Sequence, residues 1–357
     1  MYINFVLDEN KNNNVLTWLL LITLLVTIMI IVGGLTRLTD SGLSITKWNL
    51  FTGIIPPLTL ENWEKKFSLY KLIPEYYLEN QNMTLDQFKI IYWWEYFHRL
   101  LGRIIGIFYI LPLLYFTFKK KLKKNTVFSL YIILFLICFQ GFIGWYMVSS
   151  GLVDRTDVSH YRLSLHLTLA FIIFILLLWN YLKYKYGDIF SSYSKLPKYI
   201  PFLFLLFILI QISIGALVSG LDAGTIYQSW PLMNSTFFPD DSQLTDLFTM
   251  DSLETPSIVQ FIHRNIAYCI LLFYFFIFYK IYRRDELFYL RNTVLFIFIS
   301  LFIQIFLGII TVLSGAHLLV ASLHQIGSIL LITATLILVF KNSKINYQPL
   351  VLLHQMR

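Results

Sequence analysis

Long apolar stretches separated by polar ones run the length of the chain. Eight of them reach the roughly 20 residues a helix needs to cross a bilayer. They cover 15–36, 92–116, 126–149, 159–182, 199–219, 257–280, 291–313 and 317–340. None alternates as a barrel strand does, and lipid offers no partner to an unpaired backbone, so the pattern predicts helices throughout. Two connecting segments are long. Residues 37–91 hold Trp48, Pro56, Pro57, Trp63 and Tyr70, and residues 220–256 hold Trp230, Pro231 and Pro239. That content predicts ordered caps over one end of the helices.

Composition narrows the class. Hydrophobic residues make up 57% of the 357 and charged residues 13%, about half the charge of a soluble domain. This excludes a soluble fold and also disorder. Cys138 and Cys269 both lie in apolar runs, too few for a disulfide framework, a zinc knuckle or an iron–sulfur site. An acidic, Asn-rich start (Asp8, Glu9, Asn10) reads as a retained first helix and not a cleaved signal.

Net charge is +8, and its distribution sets the topology. Lys119, Lys120, Lys121, Lys123, Lys124, Lys183, Lys185, Lys195, Lys198, Lys280, Arg283, Arg284 and Arg291 fall in loops on one side. With Lys11, Lys341, Lys344 and Arg357, that side holds 17 of the 28 basic residues. Loop 220–256 on the other side has six acids and no Lys or Arg. Both termini are therefore expected on the cytoplasmic side, with the basic charge facing anionic lipid and no nucleic acid as partner. Sparse Gly and Ala with abundant Ile, Asn and Lys suggest an AT-rich genome, hence a bacterial inner membrane.

The two halves repeat each other. Gly33, Asp40, Gly42 and Trp48 match Gly215, Asp222, Gly224 and Trp230 at an offset of 182. His98-Arg99 matches His263-Arg264 at 165, Gln140 and Gly144 match Gln304 and Gly308 at 164, and His166 matches His324 at 158. The expected fold is an all-α integral membrane protein, its eight transmembrane helices forming two tandem pseudo-symmetric four-helix bundles, 1–190 and 191–357. Gln-x-x-x-Gly occurs at Gln140, Gln211 and Gln304. Helix packing is the reading favoured for it.

Ionisable groups inside a bilayer are costly, which singles out His98, His166, His263 and His324. Counted from the expected span starts, all four sit about 10 Å below the outer boundary. Equal depth on two helices of one bundle suits bis-imidazole ligation of iron, pairing His98 with His166 and His263 with His324. Arg37, Arg99, Arg103, Arg162 and Arg264 lie near enough to bind the carboxylates of a porphyrin, with interfacial snorkelling as the alternative. Glu95 lies three residues before His98, where the second half has Gln260. A buried Glu95 could move protons, or could simply pair with Arg99 at i+4. The asymmetry suggests a substrate in the first half and a fixed redox cofactor in the second. His160 and His317 at the outer mouth are either spare ligands or solvated loop residues, the latter favoured, and His354 is expected to be irrelevant.

Several stretches are similar to haem A synthase. They are Gly33-Gly34-Leu35-Thr36-Arg37-Leu38-Thr39, Ser41-Gly42-Leu43-Ser44, Gly53-Ile54-Ile55-Pro56-Pro57, Pro74-Glu75-Tyr76, Ser150-Gly151-Leu152-Val153 and the run from Glu95 through His98-Arg99 to Arg103. The chain resembles the alphaproteobacterial and mitochondrial form, without the outer-loop cysteine pair of other relatives. The resemblance implies oxidation of the C8 methyl of haem O to a formyl group, giving haem A for cytochrome oxidase. It implies haem O and haem A on His98 and His166, with Glu95 assisting, and haem b on His263 and His324. It also implies an electron donor, haem O synthase and oxidase assembly factors as partners, and leaves a homo-oligomer open. A di-haem b-type electron-transfer protein and a haem transporter remain as alternatives.

Overall fold

The structure is a computed structural model that describes residues 12–48, 52–153, 155–186 and 196–343. Lys11, Lys195, Lys344, His354, Arg357 and the expected boundary at 190/191 lie outside the described residues. Ten α-helices form among those described: α1 (Asn13–Leu38), α2 (Leu60–Tyr70), α3 (Pro74–Leu78), α4 (Leu85–Phe118), α5 (Lys124–Gly151), α6 (His160–Tyr186), α7 (Tyr199–Gly220), α8 (Pro256–Tyr282), α9 (Phe288–Leu313) and α10 (Leu318–Ser343). All but α2 and α3 are long and apolar enough to cross a membrane, which gives eight candidate spans. No strand forms among the described residues, and Met233 and Thr236 make an isolated bridge.

Helix α4 begins at Leu85 and not near 92. The reason is local. Thr84 and Gln87 form a reciprocal capping box that starts a helix before the apolar run begins. Pro256 opens α8 and Pro74 opens α3, the position where a missing N–H costs nothing. Helices α1 and α7 end alike, with Asp40 and Asp222 turning the chain at φ 47° and 49°, a conformation Asp tolerates better than most residues.

Long-range packing links α1 to α4, α6 and α10, and α7 to α6, α8 and α10. Helix α5 packs on α6, and α9 on α10. The segment between α1 and α4 is an ordered cap with its own core. There Leu43, Phe67, Tyr70, Ile73, Phe88, Tyr92, Tyr96 and Val158 are buried together. Its rings meet edge-on or offset, for example Phe67 on Phe88 at 5.0 Å and Trp63 on Tyr92 at 5.0 Å, the geometry aromatic quadrupoles favour.

Candidate functional site

Each of the four span histidines rests on a glycine of the neighbouring helix. A Cβ added at Gly144, Gly215 or Gly308 would stand 3.0 Å from Cε1 of His166, His263 or His324, respectively. A Cβ at Gly33 would stand 3.3 Å from Nε2 of His98. Only the absence of a side chain lets the helices close on the rings. Glutamine completes the seat. Gln140 Nε2 donates to the His166 carbonyl at 3.0 Å and lies 3.3 Å from its ring Nε2. Gln211 does the same for His263, at 2.9 Å and 3.3 Å. The Gln-x-x-x-Gly motif therefore holds imidazoles as well as packing helices, a role that spacing along one helix does not reveal.

The second expected pair is brought together directly. His263 and His324 face each other with ring centroids 6.5 Å apart and planes at 81°. Metal–imidazole bonds of about 2 Å put two rings sharing one ion about 6 Å apart. His98 stands on α4 and His166 on α6, both packed against α1. Nδ1 of His166, His263 and His324 is buried without a hydrogen-bond partner. Buried polar atoms are normally satisfied, so these orphans fit a site built for iron. No group of three or more His, Cys, Asp or Glu occurs together among the described residues.

Glu95 and Gln260 both fasten the outer loops. The Glu95 carboxylate accepts from Ser44 Oγ at 2.6 Å, the Ile45 N–H at 2.6 Å and Arg99 at 2.5 Å. Its side chain is 3% exposed. This is the ion pair that the i+4 spacing allows, and three donors fix the position of the carboxylate. Gln260 instead donates to the Tyr227 carbonyl at 3.1 Å. Arg99 donates to the Ile45 carbonyl at 3.0 Å and Arg264 to the Tyr227 carbonyl at 2.9 Å.

The five arginines expected to bind porphyrin carboxylates carry other contacts in this structure. Arg37 pairs with Asp40 at 2.6 Å, Asp222 at 3.0 Å and Asp157 at 3.5 Å, and donates to the Ser219 carbonyl at 2.8 Å. Three carboxylates more than cancel its charge. Arg162 donates to the Tyr146 carbonyl at 2.6 Å and stacks 3.6 Å over the Tyr146 ring, so it ties α6 to α5. Arg99 and Arg264 are committed to the loops, Arg264 also to the Ser229 carbonyl at 2.9 Å. Arg103 is half-buried and lines a cavity of about 40 Å³ with Arg99, Lys47, Lys66, Tyr92 and Tyr96. Burial and then the charges of Lys47, Lys65 and Arg99 push the Lys66 ammonium below its usual range. The favoured reading of His160 needs correcting. It is 4% exposed, wedged against Gly220 where α6 meets α7, and is not solvated. His317 is exposed, as expected.

Sequence reasoning passed over one buried carboxyl. Glu75 is 4% exposed and keeps Oε2 unpartnered. Burial, reinforced by the charges of Asp157, Glu95 and Asp40, lifts it to about 8 against the pull of a Tyr70 hydrogen bond. Its signal was in plain view: an acid in the aromatic cap, directly after the proline that opens α3.

Comparison with known proteins gives the family. Residues 16–336 match the family described as cytochrome oxidase assembly protein. A Pelagibacter ubique protein named "Heme A synthase" is 50% identical over 345 residues, covering 95% of this chain and 99% of that protein. A Rickettsia bellii protein of the same name is 42% identical over 327 residues, covering 90% and 96%. One from Flavobacterium psychrophilum is 42% identical over 339 residues, covering 94% and 99%. Across almost its whole length, then, the chain belongs to the cytochrome oxidase assembly protein family and to the haem A synthases within it.

Proposed function

We propose that the chain oxidises the C8 methyl of haem O to a formyl group, making haem A for cytochrome oxidase. In this reading His98 and His166 hold haem O, while His263 and His324 hold a resident haem b. The observation that carries it is the second pair: two facing rings 6.5 Å apart, each with a buried Nδ1 that nothing satisfies. Haem b, when bound, supplies one-electron exchange with a donor. The protein's own work is positional. Gly33 and Gly144 let α1 and α5 close on the first pair, and Gln140 fixes the backbone of His166. Glu95, held by three donors, fixes the loop at Ser44 and Ile45 beside His98 and orients Arg99. The same contacts favour Glu95 as a positioning residue over a proton carrier. The methyl-to-formyl change removes four electrons in two hydroxylations. Each needs molecular oxygen with two electrons from a donor, or an equivalent two-electron oxidant with water, and the geminal diol so formed loses water to the aldehyde.

The chain is read as two tandem bundles, 1–190 and 191–357. Its support is that α1–α4 and α5–α6 contacts are repeated by α7–α8 and α9–α10, and that α6–α7 contacts are repeated by α10–α1. The loop distribution of Lys and Arg supports termini in the cytoplasm, and the AT-rich residue usage supports a bacterial inner membrane. The comparisons lend no support to a di-haem electron-transfer protein or a haem transporter.

Supplying haem O and a reductant to the purified chain and extracting the haems tests the proposal. Hydroxymethyl and formyl porphyrins are expected. Unchanged haem O with several donors contradicts it.

A further inference from the structure

The four histidine seats differ in one respect. His166, His263 and His324 are each held by a helix carrying glutamine four residues before the seating glycine: Gln140 and Gly144, Gln211 and Gly215, Gln304 and Gly308. For His166 and His263 that amide bonds the histidine's own carbonyl and touches its ring. For His324 the Gln304 amide lies against Gly327, three residues further along the histidine's own helix. In α1 the same register places Met29 four residues before Gly33. Its methyl would meet a Cβ at Gly102, four residues after His98, at 3.4 Å. A thioether fills the space of the amide but donates no hydrogen bond. The ring is also turned: His98 presents Nε2 and Cδ2 to its glycine, whereas the other three present Cε1.

A substrate must arrive and a product leave, whereas a resident cofactor stays. From this asymmetry we infer that Met29 makes His98 the releasing ligand of the substrate pair, so that a bound porphyrin detaches from His98 first while His166 retains it. The inference rests on the proposed placement of haem O on His98 and His166. Met29 acts through His98 and is a positioning residue.

The test is porphyrin transfer from the purified full-length chain, loaded with protohaem at both pairs, to excess apomyoglobin. Two phases are expected, the fast one from the first pair. Met29→Gln should slow the fast phase about fivefold, the weight of one hydrogen bond, and leave the slow phase alone. Gln140→Met should speed the fast phase by a similar factor, which keeps the inference testable if Met29→Gln does not fold. An unchanged fast phase in both variants overturns it. So does equal slowing by Met29→Leu, because packing and not the amide would then be responsible. If His98→Ala and His166→Ala leave the fast-phase amplitude intact, the porphyrin was never on that pair. The proposed function's placement then fails as well, an outcome distinct from unchanged rates with a lost amplitude.

Discussion

At the residue scale, the site is built by what is missing as much as by what is present. Gly215 lies so close to His263 that a Cβ would stand 3.0 Å from the ring. Gly215→Val should therefore displace that imidazole, weakening haem b retention about tenfold while sparing the first pair. The haem-to-protein ratio of the purified variant reads this directly. Glu95 is a different case. Its side chain and that of Arg99 are 3% and 9% exposed, and each is the other's counter-ion. Glu95→Gln leaves a buried guanidinium unpaired and should lower stability by about 3 kcal/mol, read as a drop in Tm in detergent. Gln260 survives at the matching position because Arg264 is satisfied by the Tyr227 and Ser229 carbonyls instead. The four histidines were legible because an ionisable side chain in an apolar run is conspicuous. The destination of Arg37 was not, because its partners Asp40, Asp157 and Asp222 come from three separate segments. The work of Gln140 and Gln211 was hidden for the same reason: half of each contact lies on another helix.

At the scale of elements, all eight spans were readable from apolar length alone, and the differences lie at their ends. The early start of α4 was written in Thr84 and Gln87, which a hydropathy window averages away. His160 is buried because α6 begins at that residue and meets the end of α7 there, a contact between elements that local polarity cannot foretell. The cap formed by α2 and α3 carries a pH dependence. Glu75 is lifted from 4.5 to about 8 in the folded cap. The fold therefore binds a proton that the unfolded chain has released between those values. Stability is complete below the lower value and is lost as pH rises through the upper one. Amide protection in α2 and α3, corrected for the intrinsic base catalysis of exchange, should fall between pH 6 and 9, and Glu75→Gln should flatten that response. An equal response in the variant would place the titrating group elsewhere.

At the scale of the whole molecule, one cation joins the two halves. Arg37 at the end of α1 reaches Asp222 and the Ser219 carbonyl at the end of α7. Burial already lifts the Asp157 carboxyl against the pull of Arg37. Arg37→Gln removes that pull, so the carboxyl should rise further. The variant should be least stable relative to the parent at alkaline pH and approach it as the carboxylates protonate. Thermal unfolding at pH 5.5 and 8.5 compares the two directly. Outward, Phe135, Phe139 and Phe142 form an exposed ring ladder along α5, a surface that only lipid or another apolar partner solvates. The division of labour between the halves is the central claim, and absorption spectra of purified histidine variants test it most directly. His263→Ala and His324→Ala should each lose the low-spin haem b signal, whereas His98→Ala should retain it. A resident haem b that persists without His263 and His324, or disappears with His98, would contradict the assignment.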